Sequence, residues 1–173
     1  MLLKEKPSTV RTRVAGALCA SARAEAGSMT PELVNECVDR RRLRQGLLPP
    51  GSKLRATFYL GAPALRCPVG GFDVMAEQLA RLAAPSEADR GVIRIVPDDL
   101  LVCVGAPGSF RLLTFAGHGP VAMEELLVAL VLVDHPKAIP AYAEAVERLD
   151  RIALSPEQSH TMITGLAGEF LAA

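Results

Sequence analysis

The chain has 173 residues, half of them apolar and 22% charged, which suffices for one domain with a proper core, is too short for two ordinary ones, and lies far from the composition of a disordered chain. Lys plus Arg and Asp plus Glu balance at 19 each, so no net field draws the whole chain to nucleic acid or to an anionic membrane. Cys19, Cys37, Cys67 and Cys103 form no CxxC pair and have no histidine at zinc-ligand spacing; with no signal peptide at the start, the expectation is reduced cytoplasmic thiols and no metal site.

In chain order, the polar opening MLLKEKPS (1–8) should fray, and 1–13 is read as a flexible N-terminus ahead of a single domain at 14–173. Val10 to Ala24 is Ala-rich, with Val14, Ala17, Leu18 and Ser21 at helical spacing, which predicts a helix ended by Gly27. Thr30-Pro31-Glu32 supplies an N-cap, a proline at the first helical position and an acid in the first turn. A second helix is therefore expected to about Gln45, with Leu33, Cys37 and Leu43 inward and Glu36 paired with Arg40 outside. Arg40, Arg41, Arg42 and Arg44 cluster on it. A turn of about 100° per residue spreads them over several faces, so a solvated surface is expected ahead of phosphate contact. Leu47-Leu48-Pro49-Pro50-Gly51 links into the sheet.

Leu54 to Leu60 carries Thr57, Phe58 and Tyr59 in an apolar setting, which predicts a strand. Pro63, Pro68, Gly70 and Gly71 punctuate the connection to a helix from Phe72. Its inward stripe is Val74, Met75, Leu79 and Leu82, with Glu77, Gln78 and Arg81 opposite and Pro85 as the stop. Val92 to Val96 is a strand closed by Pro97, Ser109 to Phe115 another, and His118-Gly119-Pro120 turns the chain into a third at Val121 to Glu124. Leu127 to Val133 predicts a further strand, with a buried helix as the alternative; the apolar run from Leu126 to Val133 is well short of the roughly 20 residues that span a bilayer. Two helices close the chain. One starts near Pro136 and turns Tyr142, Val146 and Leu149 inward, and the other opens on Ser155-Pro156-Glu157-Gln158, a capping box with proline at the first helical position. Short links between strands favour antiparallel pairing. The expected architecture is α+β: a central, mostly antiparallel sheet of about four or five strands flanked by N-terminal and C-terminal helices.

The blocks LRATFYLGAPALRCPVGGFDVMAEQLARLA (54–83), VIRIVP (92–97), GSFRLLTFAGHGPVAME (108–124) and RLDRIALSPEQSHTMI (148–163) carry a resemblance in their order and spacing. They resemble a domain of unknown function common in actinobacteria, which usually forms the C-terminal part of Xre-type, antitoxin-like helix-turn-helix regulators. The resemblance runs from about Val14 to Ile163. Such regulators begin with a helix-turn-helix of about 60 residues, and only Met1 to Arg13 precedes the resemblance here, so the expectation is a relative without that DNA-binding unit. Three departures stand out against the family. Gly61 and Ala62 replace an acid after the first strand, Asp98 and Asp99 replace an aromatic and a small polar residue, and Ala122 replaces an aromatic while Glu124 still matches. Smaller side chains in place of rings release volume, which is how a remodelled cavity would look.

No residue pattern here is a catalytic signature: there is no G-x-S-x-G elbow at Ser109, and CPVGGF is neither a GK[ST] loop nor GxGxxG. Asp98 and Asp99 could serve as a carboxylate pair or general base, set against a solvated turn after Pro97. Glu124 would need a partner if it faces inward. His118, between two glycines, is read first as a turn and second as a general acid or base. Tyr59, Arg66, Phe110, Phe115 and Met123 are the expected ligand-binding set, with plain core as the alternative for the apolar ones.

Two functions from different classes are consistent with these residues. The first is a non-enzymatic sensing domain that binds a small apolar molecule or a protein partner, with a homodimer within its scope and with neither DNA nor membrane binding expected. The second is a cofactor-independent cyclase or isomerase acting on a hydrophobic polyketide-like substrate, in which Asp98, Asp99, Glu124 and His118 would be catalytic. Neither calls for a cofactor.

Overall fold

The structure, a computed structural model, describes residues 9–14, 30, 32, 55–84, 91–101, 109–125 and 130–173. Six strands, β1 (Thr9–Val14), β2 (Arg55–Gly61), β3 (Val92–Val96), β4 (Phe110–Thr114), β5 (Val121–Glu125) and β6 (Leu130–Val133), form one sheet in the order β3-β2-β1-β4-β5-β6. β1, β2 and β3 run parallel, whereas β1–β4, β4–β5 and β5–β6 pair antiparallel. Among the described residues five helices accompany them: α1 (Ala62–Arg66), α2 (Phe72–Ala83), α3 (Asp98–Leu101), α4 (Ile139–Ile152) and α5 (Pro156–Leu171). The fold is α+β, as the pattern predicts, but the sheet has six strands among the described residues where four or five were expected.

The additional strand is β1. A helix was expected from Val10, and 1–13 was expected to be flexible; instead Thr9–Val14 pairs with β2 on one side and β4 on the other. Thr9, Val10, Thr12 and Val14 are β-branched, which favours an extended backbone, and over Thr9–Arg13 the strand has a neighbour on both sides to pair its backbone. Residues 1–8, the remainder of that helix, the arginine cluster at 40–44 and the Glu36–Arg40 pair lie outside the described residues. So do Pro85 and the 126–129 part of the strand expected from Leu127.

The turn into α2 follows its composition. Pro68 presets the chain, Gly70 and Gly71 take φ of +83° and +95°, and the Gly71 N–H closes the turn onto the Pro68 carbonyl at 3.1 Å. Left-handed φ values are cheap only for glycine. Within α2 the buried residues are Met75, Ala76 and Leu79. Val74 and Leu82, expected inward, are exposed, because α2 packs along α5 and presents only a narrow stripe to it.

Each layer has its own core. Adjacent residues of a strand point to opposite faces, and the two clusters divide accordingly: Tyr59 and Val96 belong to one, Leu60 and Ile95 to the other. On one face α4 covers Tyr59, Phe110, Leu112 and Ala122 with Val146, Leu149 and Ala153. On the other, α1, α2 and α5 bury Leu65, Met75, Leu79, Ile163 and Leu166 against Ile95. Leu113, Phe115 and Val121, with Met123 against them, form a third group on the face away from α4.

The chain crosses from one face to the other at the β3 edge, and the α4–α5 connection closes that edge. The Leu154 N–H donates to the Ile95 carbonyl at 2.8 Å, and the Ile95 N–H donates to Ser159 Oγ at 2.9 Å. An edge strand's outward backbone groups need such partners. Ser159, fully buried, is thus held by function in the fold and not by polarity. The capping box read from Ser155 and Gln158 is present in both directions.

Candidate functional site

The register lays one row of residues across the sheet. Tyr59 stands opposite Arg94 on β3 and opposite Arg13 on β1, Arg13 opposite Phe110, and Phe110 opposite Glu124. Directly opposed residues share a face, and Tyr59, Phe110 and Glu124 lie on the face that α4 covers. Tyr142 of α4 donates its hydroxyl to Glu124 at 2.7 Å, and its ring meets Phe110 edge-on at 5.4 Å. Two turns later Asp150 accepts from the Tyr59 hydroxyl and pairs with Arg94 at 2.9 Å. The rise from Tyr142 to Asp150 is about 12 Å, close to the ~14 Å spanned by three strand spacings between β5 and β2. Hence α4 runs across the strands, along the row.

Arg94 is the hub at one end of it. Its guanidinium donates to the carbonyls of Asp150, Ala153 and Leu154 at 2.8–3.0 Å as well as to the Asp150 carboxylate, and it lies 5.9 Å from the centre of the Tyr59 ring. The last carbonyls of a helix have no partner within it, so Arg94 caps α4 and ties it to β3. Tyr59, 1% exposed, is therefore a core member of this junction; a ligand cannot reach it without opening the fold. At the other end, the bond to Glu124, then burial, then the Glu124 charge push the Tyr142 hydroxyl up to about 12. Glu124 faces inward and has the partner that such a position requires.

A different set of candidates meets at the carboxyl ends of β2 and β3. Here an open cleft of about 460 Å³ is lined by Ala62 and Arg66 of α1, by Pro97, Asp98 and Asp99 after β3, and by Leu154 and Met162. In sheets with parallel strands, the carboxyl ends are where connecting segments leave a crevice. Arg66 and Asp98 are ion-paired across it, each side chain half exposed, and Asp99 is exposed at the start of α3.

The structure therefore brings together Arg66, Asp98 and Asp99, and separately Tyr59, Phe110 and Glu124. The rest do not join them. Phe115 and Met123 lie on the face away from α4, so they share no pocket with Phe110 or Tyr59. His118 is exposed in the bend between β4 and β5, at the opposite end of the strands from the cleft, since Phe110 at the start of β4 is the residue beside Arg13 near the end of β1. The four proposed catalytic groups thus occupy three places. Sequence reasoning missed Arg94 and Asp150. A lone arginine at the centre of the apolar strand VIRIV was the available signal, because a charge there must be paired.

Among the described residues, no group of three or more His, Cys, Asp or Glu is placed to hold a metal ion, and no helix is long and apolar enough to cross a membrane. Cys67 is an exposed free thiol. No curated protein and no solved structure matches the chain. The model of one family, described as "Domain of unknown function (DUF5753)", matches residues 15–165, nearly the whole chain, and the chain belongs to that family.

Proposed function

We propose that the chain is a relative of the sensing domain of actinobacterial Xre-type regulators, working in the cytoplasm by binding a small apolar metabolite, with a protein partner as the other class of occupant. The observation that carries this reading is the cleft beyond β2 and β3. Its volume of about 460 Å³ falls in the range of small-molecule sites. Ala62, Pro97, Leu154 and Met162 give it apolar walls, and its charged groups are exposed at the rim. Two of the three departures from the family resemblance, Gly61-Ala62 and Asp98-Asp99, fall on or beside this cleft. Binding would act by shifting the conformation or assembly of the domain. The test is a thermal-shift screen of small apolar metabolites with each hit followed by mass spectrometry. A ligand that raises Tm and is recovered unchanged is expected, and recovery of a product would overturn a purely sensing role.

The placement of Asp98 and Asp99 in an apolar-walled cleft favours one second reading, the cofactor-independent cyclase or isomerase. In that reading Asp99 takes a proton from the substrate while the walls fix the substrate's shape. Glu124 and His118 have no part in it, since neither lines the cleft. Turnover abolished by Asp99→Asn, with the Tm shift retained, is the expected result under this reading.

A further inference from the structure

We infer that the cleft beyond β2 and β3 takes a ligand with an apolar body and a cationic head, an alkylammonium or a similar amine, with Asp99 as the residue that selects it. The inference rests on the ligand-binding reading given above and names the chemistry of the ligand.

Its basis is the charge left over in the cleft. Among the described residues the lining holds one arginine and two aspartates. Arg66 and Asp98 are committed to each other in an ion pair, so the charge of the pair is spent locally and the carboxylate of Asp99 remains. The other described lining residues, Ala62, Pro97, Leu154 and Met162, offer no hydrogen-bonding side chain. A ligand seated on that wall keeps water from Asp99, and the lower local dielectric strengthens whatever charge interaction the head makes. An anionic head would face a like charge, with Arg66, the cation of the described lining, already paired. An ammonium head finds a carboxylate. Ala62 is 1% exposed and fixed at the start of α1, whereas Met162 is only partly buried and has an unbranched thioether chain that can adapt to apolar bodies of different shape. The head is therefore specified more tightly than the body.

Three probes of equal chain length separate the outcomes: n-octylammonium, octanoate and 1-octanol, titrated against the full chain by thermal shift and by chemical-shift perturbation. Octylammonium should bind more tightly than octanol, and octanoate more weakly than both. Asp99→Asn should weaken octylammonium by about three- to fivefold, the size of an exposed ion pair, while leaving octanol unchanged; added salt should reduce the preference in the wild type alone. Octanoate binding as tightly as octylammonium, or an unchanged preference in Asp99→Asn, would overturn the cationic head and leave the cleft a binding site. None of the three probes perturbing residues of the cleft would overturn the binding reading and this inference together.

Discussion

Arg94 shows how much one side chain can carry when it lies between two elements. It gives hydrogen bonds to the Asp150 carbonyl in the last turn of α4 and to the Ala153 and Leu154 carbonyls beyond it, and pairs with the Asp150 carboxylate, at 19% exposure of its own side chain. Removing it breaks the ion pair with half-buried Asp150 and takes the hydrogen bonds from the carbonyls at the end of α4. Arg94→Ala should therefore lower stability by about 3 kcal/mol, from unmet carbonyls and a broken ion pair together, read as a fall in the urea midpoint. Arg94→Lys keeps the charge but not the planar fork, and should recover less than half of that loss. Full recovery by lysine would show that charge alone matters. Tyr142 gives a prediction in pH. Its hydroxyl donates to Glu124 and is pushed up from 10.0 to about 12, because the phenolate would lose that bond and face a carboxylate. A folded-state value above the unfolded one means that this contribution is complete below about pH 10 and disappears as pH rises through about 12. Tyr142→Phe should cost about 1 kcal/mol at neutral pH and should flatten the decline of stability across that window. An equally steep decline in the variant would assign it to other groups.

At the scale of elements, local signals were read correctly and long-range ones were not. Ser155 and Gln158 specify the start of α5 within four residues, so the capping box could be read without any neighbour. Ser155→Ala should cost about 1 kcal/mol and Ser155→Gly only a few tenths, measured as urea midpoints. β1 is the opposite case. Its β-branched residues are followed by an Ala-rich stretch, and the pattern alone favours a helix; only the strands on both sides, β2 and β4, decide for an extended chain. The site divides in the same way. Arg66 and Asp98 lie 32 residues apart in the chain, and Leu154 and Met162 come from its far end. No spacing rule could place them round one cleft. Ser159 had no reading at all in sequence, since its task is to receive the Ile95 N–H of an edge strand. Ser159→Ala leaves that buried donor unpaired and should cost about 2 kcal/mol, where a serine on the exposed face of the same helix would cost almost nothing.

For the whole molecule, the consequence is that one sheet serves two independent cores. Tyr59 and Leu60, or Ile95 and Val96, are neighbours in sequence and members of different clusters, so the strands themselves separate the α4 layer from the α2–α5 layer. The cleft sits at the carboxyl ends of β2 and β3 beside the α2–α5 layer, with Leu154, from the segment that joins α4 to α5, as one of its walls. Packing changes in either layer should therefore act on stability separately. Ile163→Val, in the α2–α5 layer at 1% exposure, should cost about 1 kcal/mol, and Val146→Ala, under α4 at 2% exposure, about 2 kcal/mol. Buried groups with no shared neighbours add to within about 0.5 kcal/mol, so the double variant should lose about 3 kcal/mol in equilibrium urea unfolding with a single transition. A coupling above ~1 kcal/mol would mean that the sheet transmits strain between its faces, and two separate transitions would mean that the layers unfold as distinct units, which the shared strands β2 and β3 argue against.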